Sequence, residues 1–364
     1  MKNETTLIQQ PPSLRGDGPR SGGGSSAEAR PVKQHESNLR SVGTIFDVRR
    51  FSTHDGSGIR TTVFFKGCSL NCRWCHNPEG IATTRRPLFF EKRCIGCQLC
   101  EKAARAAGEQ LGAERTPARD DVQADVLVRG IPYRARDAEN NALWERIIEA
   151  CPSGALAWDS RTVTSAALSD VLLRDLPFFR HGGGVTLSGG EPLLQPEFAA
   201  DVLQRVQSAG VHTAIETALA VPEKNLRTVL PHLDHVFADC KVWGRAAHIA
   251  ATGVPNDRIL ANLRYLLCGA QTADFPTVTI RTPLIPHFTA TDENIRAIAQ
   301  FLASENPAIH YELLNYNPLA AAKYHLVGRA YCFDENPRKF TEAEMERFAE
   351  IARGAGLKNV TIDR

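Results

Sequence analysis

The sequence predicts an α/β protein built on a parallel β/α sheet or barrel, interrupted early by a small cysteine-bearing module. Six strand-like runs recur: Thr61–Phe65, Gly184–Leu187, Val211–Ile215, His235–Lys241, Thr277–Pro283 and Ala308–Leu314. Amphipathic helical patterns lie between several of them, the alternation that produces parallel strands joined by crossover helices. One stretch, residues 93–157, breaks that rhythm with close-spaced cysteines and a charged, strand-poor segment.

Taken in order, residues 1–41 are rich in Gly, Ser, Pro and Gln, including Ser21-Gly22-Gly23-Gly24-Ser25-Ser26. Such a composition buries too little apolar surface to offset ordering entropy, so a disordered tail is expected. Residues 42–92 begin the sheet, 93–157 form the inserted module, and 158–364 complete the sheet. Thr164 caps a helix burying Leu168, Val171 and Leu172. Phe198, Val202, Leu203 and Val206 make a second stripe that ends at Gly210. Thr291 opens a helix with Ile295, Ile298 and Leu302 on one face. Thr341 and Glu344 form a capping box ahead of Met345, Phe348 and Ile351. These stripes are core and claim no function.

Composition narrows the classes. A chain of 364 residues allows two domains or one barrel with an insert. A net charge of +2 gives no sign of bulk binding to nucleic acid or anionic lipid. The N-terminus has no apolar signal core, and no run of about 18 apolar residues occurs elsewhere. Of ten cysteines, six fall in two close-spaced groups that suit metal binding rather than a secreted disulfide scaffold. A reducing cytoplasm is the expected compartment.

The chemistry concentrates in Cys68-Ser69-Leu70-Asn71-Cys72-Arg73-Trp74-Cys75, directly after the strand Thr61–Phe65. A thiolate-bound cluster normally takes four ligands, so a compact CxxxCxxC triplet points to a cluster with one iron left open. A structural zinc site is the alternative, although zinc knuckles usually supply paired CxxC ligands. Trp74 is a candidate to stack on an adenine ring, or else an ordinary core aromatic. Ser188-Gly189-Gly190-Glu191-Pro192 follows the strand Gly184–Leu187. Its glycines permit close backbone approach, and Glu191 can accept hydrogen bonds from an ammonium group.

The triplet resembles the signature of the radical S-adenosylmethionine enzymes, and Gly189-Gly190-Glu191 resembles their motif for the methionyl amino group. The flanking runs narrow this further. Phe51-Ser52-Thr53-His54-Asp55-Gly56-Ser57-Gly58-Ile59-Arg60-Thr61, the tail Trp74-Cys75-His76-Asn77-Pro78-Glu79 and His181-Gly182-Gly183-Gly184 are similar to the glycyl-radical-enzyme activases, typified by pyruvate formate-lyase activase. So are His212–Thr217, Asp239-Cys240-Lys241, Thr252-Gly253 and Arg281–Pro286, and the likeness covers roughly residues 42–330. It implies a partial (β/α)6 TIM-type barrel. It also implies a mechanism: a reduced [4Fe–4S] cluster on Cys68, Cys72 and Cys75 cleaves S-adenosylmethionine, and the 5′-deoxyadenosyl radical abstracts a Cα hydrogen from a glycine of a partner enzyme.

The same resemblance assigns candidate roles. Asp55 stands where the family contacts the partner's glycine loop. Glu216, Thr217 and Asp239 fall where it often binds a small monovalent cation and positions the cofactor. Lys241 and Arg281 are candidates for the cofactor's carboxylate or ribose. For the last five of these six the alternative is a structural ion pair or hydrogen bond. Ser57 replaces a frequent Pro, and Asn317 stands where a histidine is often found and takes no role. Cys240 reads as buried packing, and Cys268 and Cys332 as ordinary thiols.

Many such activases carry a two-cluster ferredoxin insert with two C-x₂-C-x₂-C-x₃-C runs, the fourth Cys of each ligating the other cluster. Here the first run keeps Cys94, Cys97 and Cys100, with Ala104 in fourth place. Counting back from Cys151, the second run has Asn141, Trp144 and Ile147. The crossover rule leaves Cys94, Cys97, Cys100 and Cys151 as one complete set, hence one auxiliary [4Fe–4S] cluster in a degenerate ferredoxin-like module. Zinc on the same four cysteines is the alternative. Flavodoxin or ferredoxin is the expected electron donor. Two other readings compete with the activase: a radical S-adenosylmethionine enzyme acting on another peptide or small molecule, and a non-catalytic iron–sulfur or zinc redox protein.

Overall fold

In a computed structural model of the chain, the described residues are 41–106, 126–129, 131–133 and 138–363. The tail expected over 1–41 lies outside them except for Ser41, as does much of the charged segment of the module. Nine strands form one sheet, standing in the order β13 (Asn359–Ile362), β12 (His310–Leu314), β11 (Thr277–Pro283), β10 (His235–Asp239), β9 (His212–Thr217), β8 (Gly184–Gly189), β2 (Arg60–Phe65), β1 (Val42–Ser52) and β7 (Arg161–Thr164). Neighbours from β2 through β13 are parallel. Strand β1 runs antiparallel to both β2 and β7. All six expected strands are present. The run His235–Lys241 stops as a strand at Asp239, and β1, β7 and β13 are additions.

The crossovers carry α3 (Ser165–Leu173), α4 (Pro196–Ser208), α5 (Glu223–Val229), α6 (Arg245–Thr252), α7 (Asp257–Gly269), α8 (Asp292–Glu305) and α10 (Glu342–Gly354). Their caps follow the sequence. The hydroxyls of Thr164 and Thr291 accept from the N–H of Ala167 and Asn294, both at 3.2 Å. Thr341 and Glu344 close the capping box. Val171, expected inside, is 39% exposed. The buried face of α3 runs through Ser165, Leu168, Ser169 and Leu172, and Val171 falls at its edge.

Sequential parallel strands with right-handed crossovers place successive helices on one face of a sheet. Side-chain alternation bears this out. Val63, Phe65, Val185, Leu187, Ile215, Val236 and Ile280 share one core with Leu172, Val202, Leu263, Ile298 and Phe348 of the helices. The alternate strand positions are Arg60, Thr62, Thr186, Ser188, Glu216, Asp239, Arg281 and Glu312. The helix-free face is therefore polar, as befits a binding surface. Among the described residues, no helix is long and apolar enough to cross a membrane.

The interrupting module has its own small core. It contains α1 (Leu99–Ala106), α2 (Ala138–Glu149) and a hairpin of β4 (Val126–Val128) and β5 (Ile131–Tyr133). β3 (Pro87–Phe89) pairs with β6 (Leu156–Trp158) at its base, so the module reaches slightly beyond 93–157. The strand-poor expectation fails because Val126–Val128 and Ile131–Tyr133 pair as a hairpin. α9 (Ala321–Tyr324) completes the elements.

Candidate active site

The cysteine loop follows β2 at the C-terminal ends of the parallel strands, where α/β folds gather their sites. Backbone bonds hold it on two sides: Cys68 N–H to Ile81 O at 3.0 Å, Asn71 N–H to Thr252 O at 2.8 Å and Arg73 N–H to Ala251 O at 3.0 Å. A segment far along the chain closes over it. The Tyr324 hydroxyl donates to the carbonyls of Arg73 and Cys75, both at 3.1 Å. Arg329 donates to Asn71 Oδ1 at 2.7 Å, and Lys323 reaches Asn77 Oδ1 at 2.7 Å and Glu79 at 2.9 Å. Sequence reasoning missed Lys323, Tyr324 and Arg329, since no local motif links them to cysteines some 250 positions away.

Burial raises the Cys68, Cys72 and Cys75 thiols, with Cys72 pushed up to about 12. The thiols also interact with one another. Among the described residues, no three Cys, His, Asp or Glu side chains converge as a single-ion site. Three thiols carried on one loop fit a cluster that takes one thiolate per iron. Trp74 is buried at 6% exposure and packs against Phe288, ring centroids 5.1 Å apart. In this structure its ring is part of the core.

The glycine turn after β8 docks directly on this loop. Gly190 N–H donates to Phe65 O at 2.9 Å, and Glu191 N–H to Gly67 O at 2.8 Å. Gly189 has φ +113°, and a Cβ there would sit 2.3 Å from Phe65 N; one on Gly190 would sit 2.1 Å from Gly67 O. The close approach these glycines allow is thus to the cysteine strand and loop. Glu191 ties the turn to the neighbouring strand. It is fully buried and accepts from Thr217 Oγ1 at 2.8 Å, Ala218 N–H at 2.9 Å and Leu193 N–H at 3.1 Å. Burial lifts its carboxyl to about 7.

The polar face holds the remaining candidates. Arg281 lies between Glu216 at 2.7 Å and Glu312 at 2.6 Å, its guanidinium 3.6 Å from the centre of the Phe237 ring. Glu216 also accepts from Ser188 at 2.5 Å. Burial, then repulsion from Asp55, lifts its carboxyl to about 7 against the pull of Arg281. Lys241 pairs with Asp239. Burial alone would lower this ammonium, but Asp239 and Cys72 outweigh it and hold it above its ordinary value. Of the expected cation ligands, Glu216 and Asp239 each pair with a basic side chain, and Thr217 bonds Glu191.

Asp55 sits at the other end of β2. Its carboxylate accepts from Ser52 Oγ at 2.6 Å and from the Thr62 hydroxyl. Fully buried Arg60 secures the surrounding loop, donating to Thr186 Oγ1 at 2.7 Å and Val185 O at 2.8 Å. The Asp55 carboxylate thereby reaches the polar face beside Thr62, near enough to Glu216 to raise that carboxyl.

In the small module, Cys94 ends a turn, exposed Cys97 follows, Cys100 is buried in α1, and Cys151 packs on the same core after α2. Burial would push the Cys151 thiol up. The backbone of Leu156, Ala155 and Ser153 and the Ser153 hydroxyl converge on the sulfur and bring it below its ordinary value. Ala104, Trp144 and Ile147, three of the positions where a second cluster would take cysteines, are completely buried in that core. Asn141, the fourth, accepts from the Tyr133 hydroxyl at 3.2 Å.

A family profile described as "4Fe-4S single cluster domain" matches residues 54–223, a span containing all seven of these cysteines. Over 330 residues, the chain is 36% identical to the indoleacetate decarboxylase activating enzyme of Tractidigestivibacter scatoligenes, covering 90% of this chain and 99% of the relative. It belongs to the glycyl radical enzyme activating enzymes. Isethionate sulfite-lyase activating enzyme of Desulfovibrio desulfuricans is 38% identical over 294 residues, 79% of this chain and 87% of the relative. The 4-hydroxyphenylacetate decarboxylase activating enzyme of Clostridioides difficile is 33% identical over 318 residues, 86% and 94% of the two chains. The activating enzyme is thus a radical S-adenosylmethionine oxidoreductase with a [4Fe–4S] cluster, and its partner is a glycyl radical enzyme.

Proposed function

We propose that this activating enzyme holds its catalytic [4Fe–4S] cluster on Cys68, Cys72 and Cys75 and admits the partner's glycine loop along the polar face toward Asp55. The observation carrying this is the fusion of the cysteine loop to the glycine turn through Gly190 N–H to Phe65 O and Glu191 N–H to Gly67 O. That fusion joins a cluster-binding loop to a cofactor-binding turn as one rigid unit. The one-sided helices, and edge strands β7 and β13 that pair on one side only among the described residues, support a partial (β/α)6 barrel, open for a protein loop. Bound together, cluster and cofactor supply one-electron cleavage of the C–S bond and a 5′-deoxyadenosyl radical, which leaves as 5′-deoxyadenosine after taking the glycine hydrogen.

The chain's own groups set the stage for that chemistry. Lys241, held cationic by Asp239, suits the cofactor carboxylate, and Arg281 holds Glu216 at the centre of the face. Buried Glu191 keeps the turn in register with β9. Asp55, braced by Ser52 and Thr62, presents an acceptor for a backbone N–H of the glycine loop. Exclusion of water falls to the Lys323, Tyr324 and Arg329 segment over the cysteines.

The auxiliary [4Fe–4S] cluster on Cys94, Cys97, Cys100 and Cys151 is supported by the packed core that fills the second cluster's place. Exposed Cys97 favours electron entry from flavodoxin or ferredoxin at this module. Ten free thiols favour a reducing cytoplasm. The named relatives make arylacetate decarboxylases and sulfite-lyases the first partners to try. Mixing the reconstituted enzyme with these partners, S-adenosylmethionine and reductant should give a glycyl doublet by electron paramagnetic resonance and equivalent 5′-deoxyadenosine. Cleavage of the cofactor with no doublet on any partner would defeat the partner assignment.

A further inference from the structure

Arg129 occupies a position that its own hairpin does not explain. It follows β4 directly in the hairpin, and its φ is +53°. That left-handed conformation suits Asn, Asp or Gly and costs an arginine about 1 kcal/mol. Backbone strain of this kind persists where the surrounding structure holds it for a purpose. Here the guanidinium is the held group. It donates to Cys94 Sγ at 2.7 Å and to Glu101 at 3.3 Å, and lies 5.5 Å from the centre of the Phe89 ring. Its Nε–H is buried and has no acceptor among the described residues. A buried donor lacking a protein acceptor, on a guanidinium already bonded to a candidate ligand sulfur, fits a site whose missing acceptor is inorganic sulfide.

We propose that Arg129 tunes the auxiliary cluster, raising its reduction potential through a charge-assisted hydrogen bond to the Cys94 thiolate. This rests on the auxiliary-cluster reading above. A cluster with four thiolates is anionic and gains further negative charge on taking one electron. A fixed cation at hydrogen-bond distance favours the more negative state, the more so in a partly buried setting. The side chain is 21% exposed, and Glu101 opposes the effect by neutralising part of the same guanidinium. The pair therefore predicts shifts of opposite sign. Loss of Arg129 lowers the potential, and loss of the Glu101 charge raises it.

The test uses the anaerobically reconstituted full chain. S-adenosylmethionine perturbs the paramagnetic signal of an open-iron cluster and leaves that of a four-thiolate cluster unchanged, so the two are separable without mutation. The unperturbed signal is titrated with dithionite and mediators in wild type, Arg129→Gln and Glu101→Gln, with iron content measured on each. Arg129→Gln should make reduction about tenfold less favourable, about 59 mV lower for one electron. Glu101→Gln should shift the midpoint upward. Unchanged midpoints in both variants at full iron content overturn the proposal. If Arg129→Gln fails to load the second cluster, Glu101→Gln decides: a higher midpoint supports the proposal, and an unchanged or lower one overturns it. A wild-type chain with about four irons and no second signal overturns the auxiliary-cluster reading itself.

Discussion

The two cysteine sites are both short runs of thiols, yet the fold treats them in opposite ways. Cys68, Cys72 and Cys75 pack against the main core, tied to α6, the glycine turn and the segment after β12. Cys94 and Cys97 lie on the outside of a small satellite core, and only Cys100 of that run is buried. Burial lifts all three catalytic-loop thiols, whereas Cys151 is lowered by hydrogen bonds despite its burial. The difference fits the two jobs proposed for them. A site that generates a radical must exclude water and other proteins, and a site that passes electrons must be approached by a donor.

The largest test of that contrast is cysteine replacement. Cys72→Ser should abolish glycyl radical formation. Cys97→Ser should lose only about four irons and retain cofactor cleavage with a chemical reductant. Equal loss of activity from both, measured by 5′-deoxyadenosine release, would erase the distinction. Next comes the satellite core. Trp144→Ala removes a completely buried ring and should cost about 3–5 kcal/mol in the module, read as a lower denaturant midpoint and easier loss of auxiliary iron. A smaller effect follows from Gly190→Ala, whose Cβ would meet Gly67 O at 2.1 Å. Overpacking there should cost about 1–3 kcal/mol and weaken cofactor binding, while auxiliary iron stays unchanged.

The smallest effect concerns pH. Ligation requires thiolates, so a thiol whose pKa is raised is protonated at neutral pH and must release its proton on loading. Three raised thiols mean that catalytic-cluster loading should accelerate as pH rises from about 7 to about 9. The auxiliary site, with Cys100 raised but Cys151 lowered, should show a shallower rise. Reconstitution rates of Cys97→Ser and Cys72→Ser variants measure the two slopes separately, and a reversed order would contradict the contrast.

Much of this was legible in the chain. Alternating runs of period two and 3.6 located six of the seven parallel strands and the capped helices, because local periodicity reports directly on burial. The cysteine spacing marks both candidate sites for the same reason: ligand geometry acts over a few residues. What failed to show depends on long-range approach. The bonds that Glu191 accepts from Thr217 and Ala218, 26 and 27 positions later, have no local signal. Thr217 looked like a partner of Glu216, but adjacent residues on a strand point to opposite faces. Tyr324 and Arg329 carry no motif at all. The arginine in the β4–β5 turn was hidden by the unusual residue in a left-handed position, where Asn-Gly would have announced the hairpin.

The central claim is hydrogen abstraction from a partner's glycine, and isotope transfer tests it most directly. A glycyl radical enzyme carrying α-deuterated glycine is incubated with the reconstituted enzyme, S-adenosylmethionine and reductant, and the 5′-deoxyadenosine is examined by mass spectrometry. Deuterium should appear in the 5′-deoxyadenosine, and the glycyl doublet should be absent when Cys72→Ser replaces the wild type. Deuterium-free 5′-deoxyadenosine alongside a full glycyl signal would contradict it.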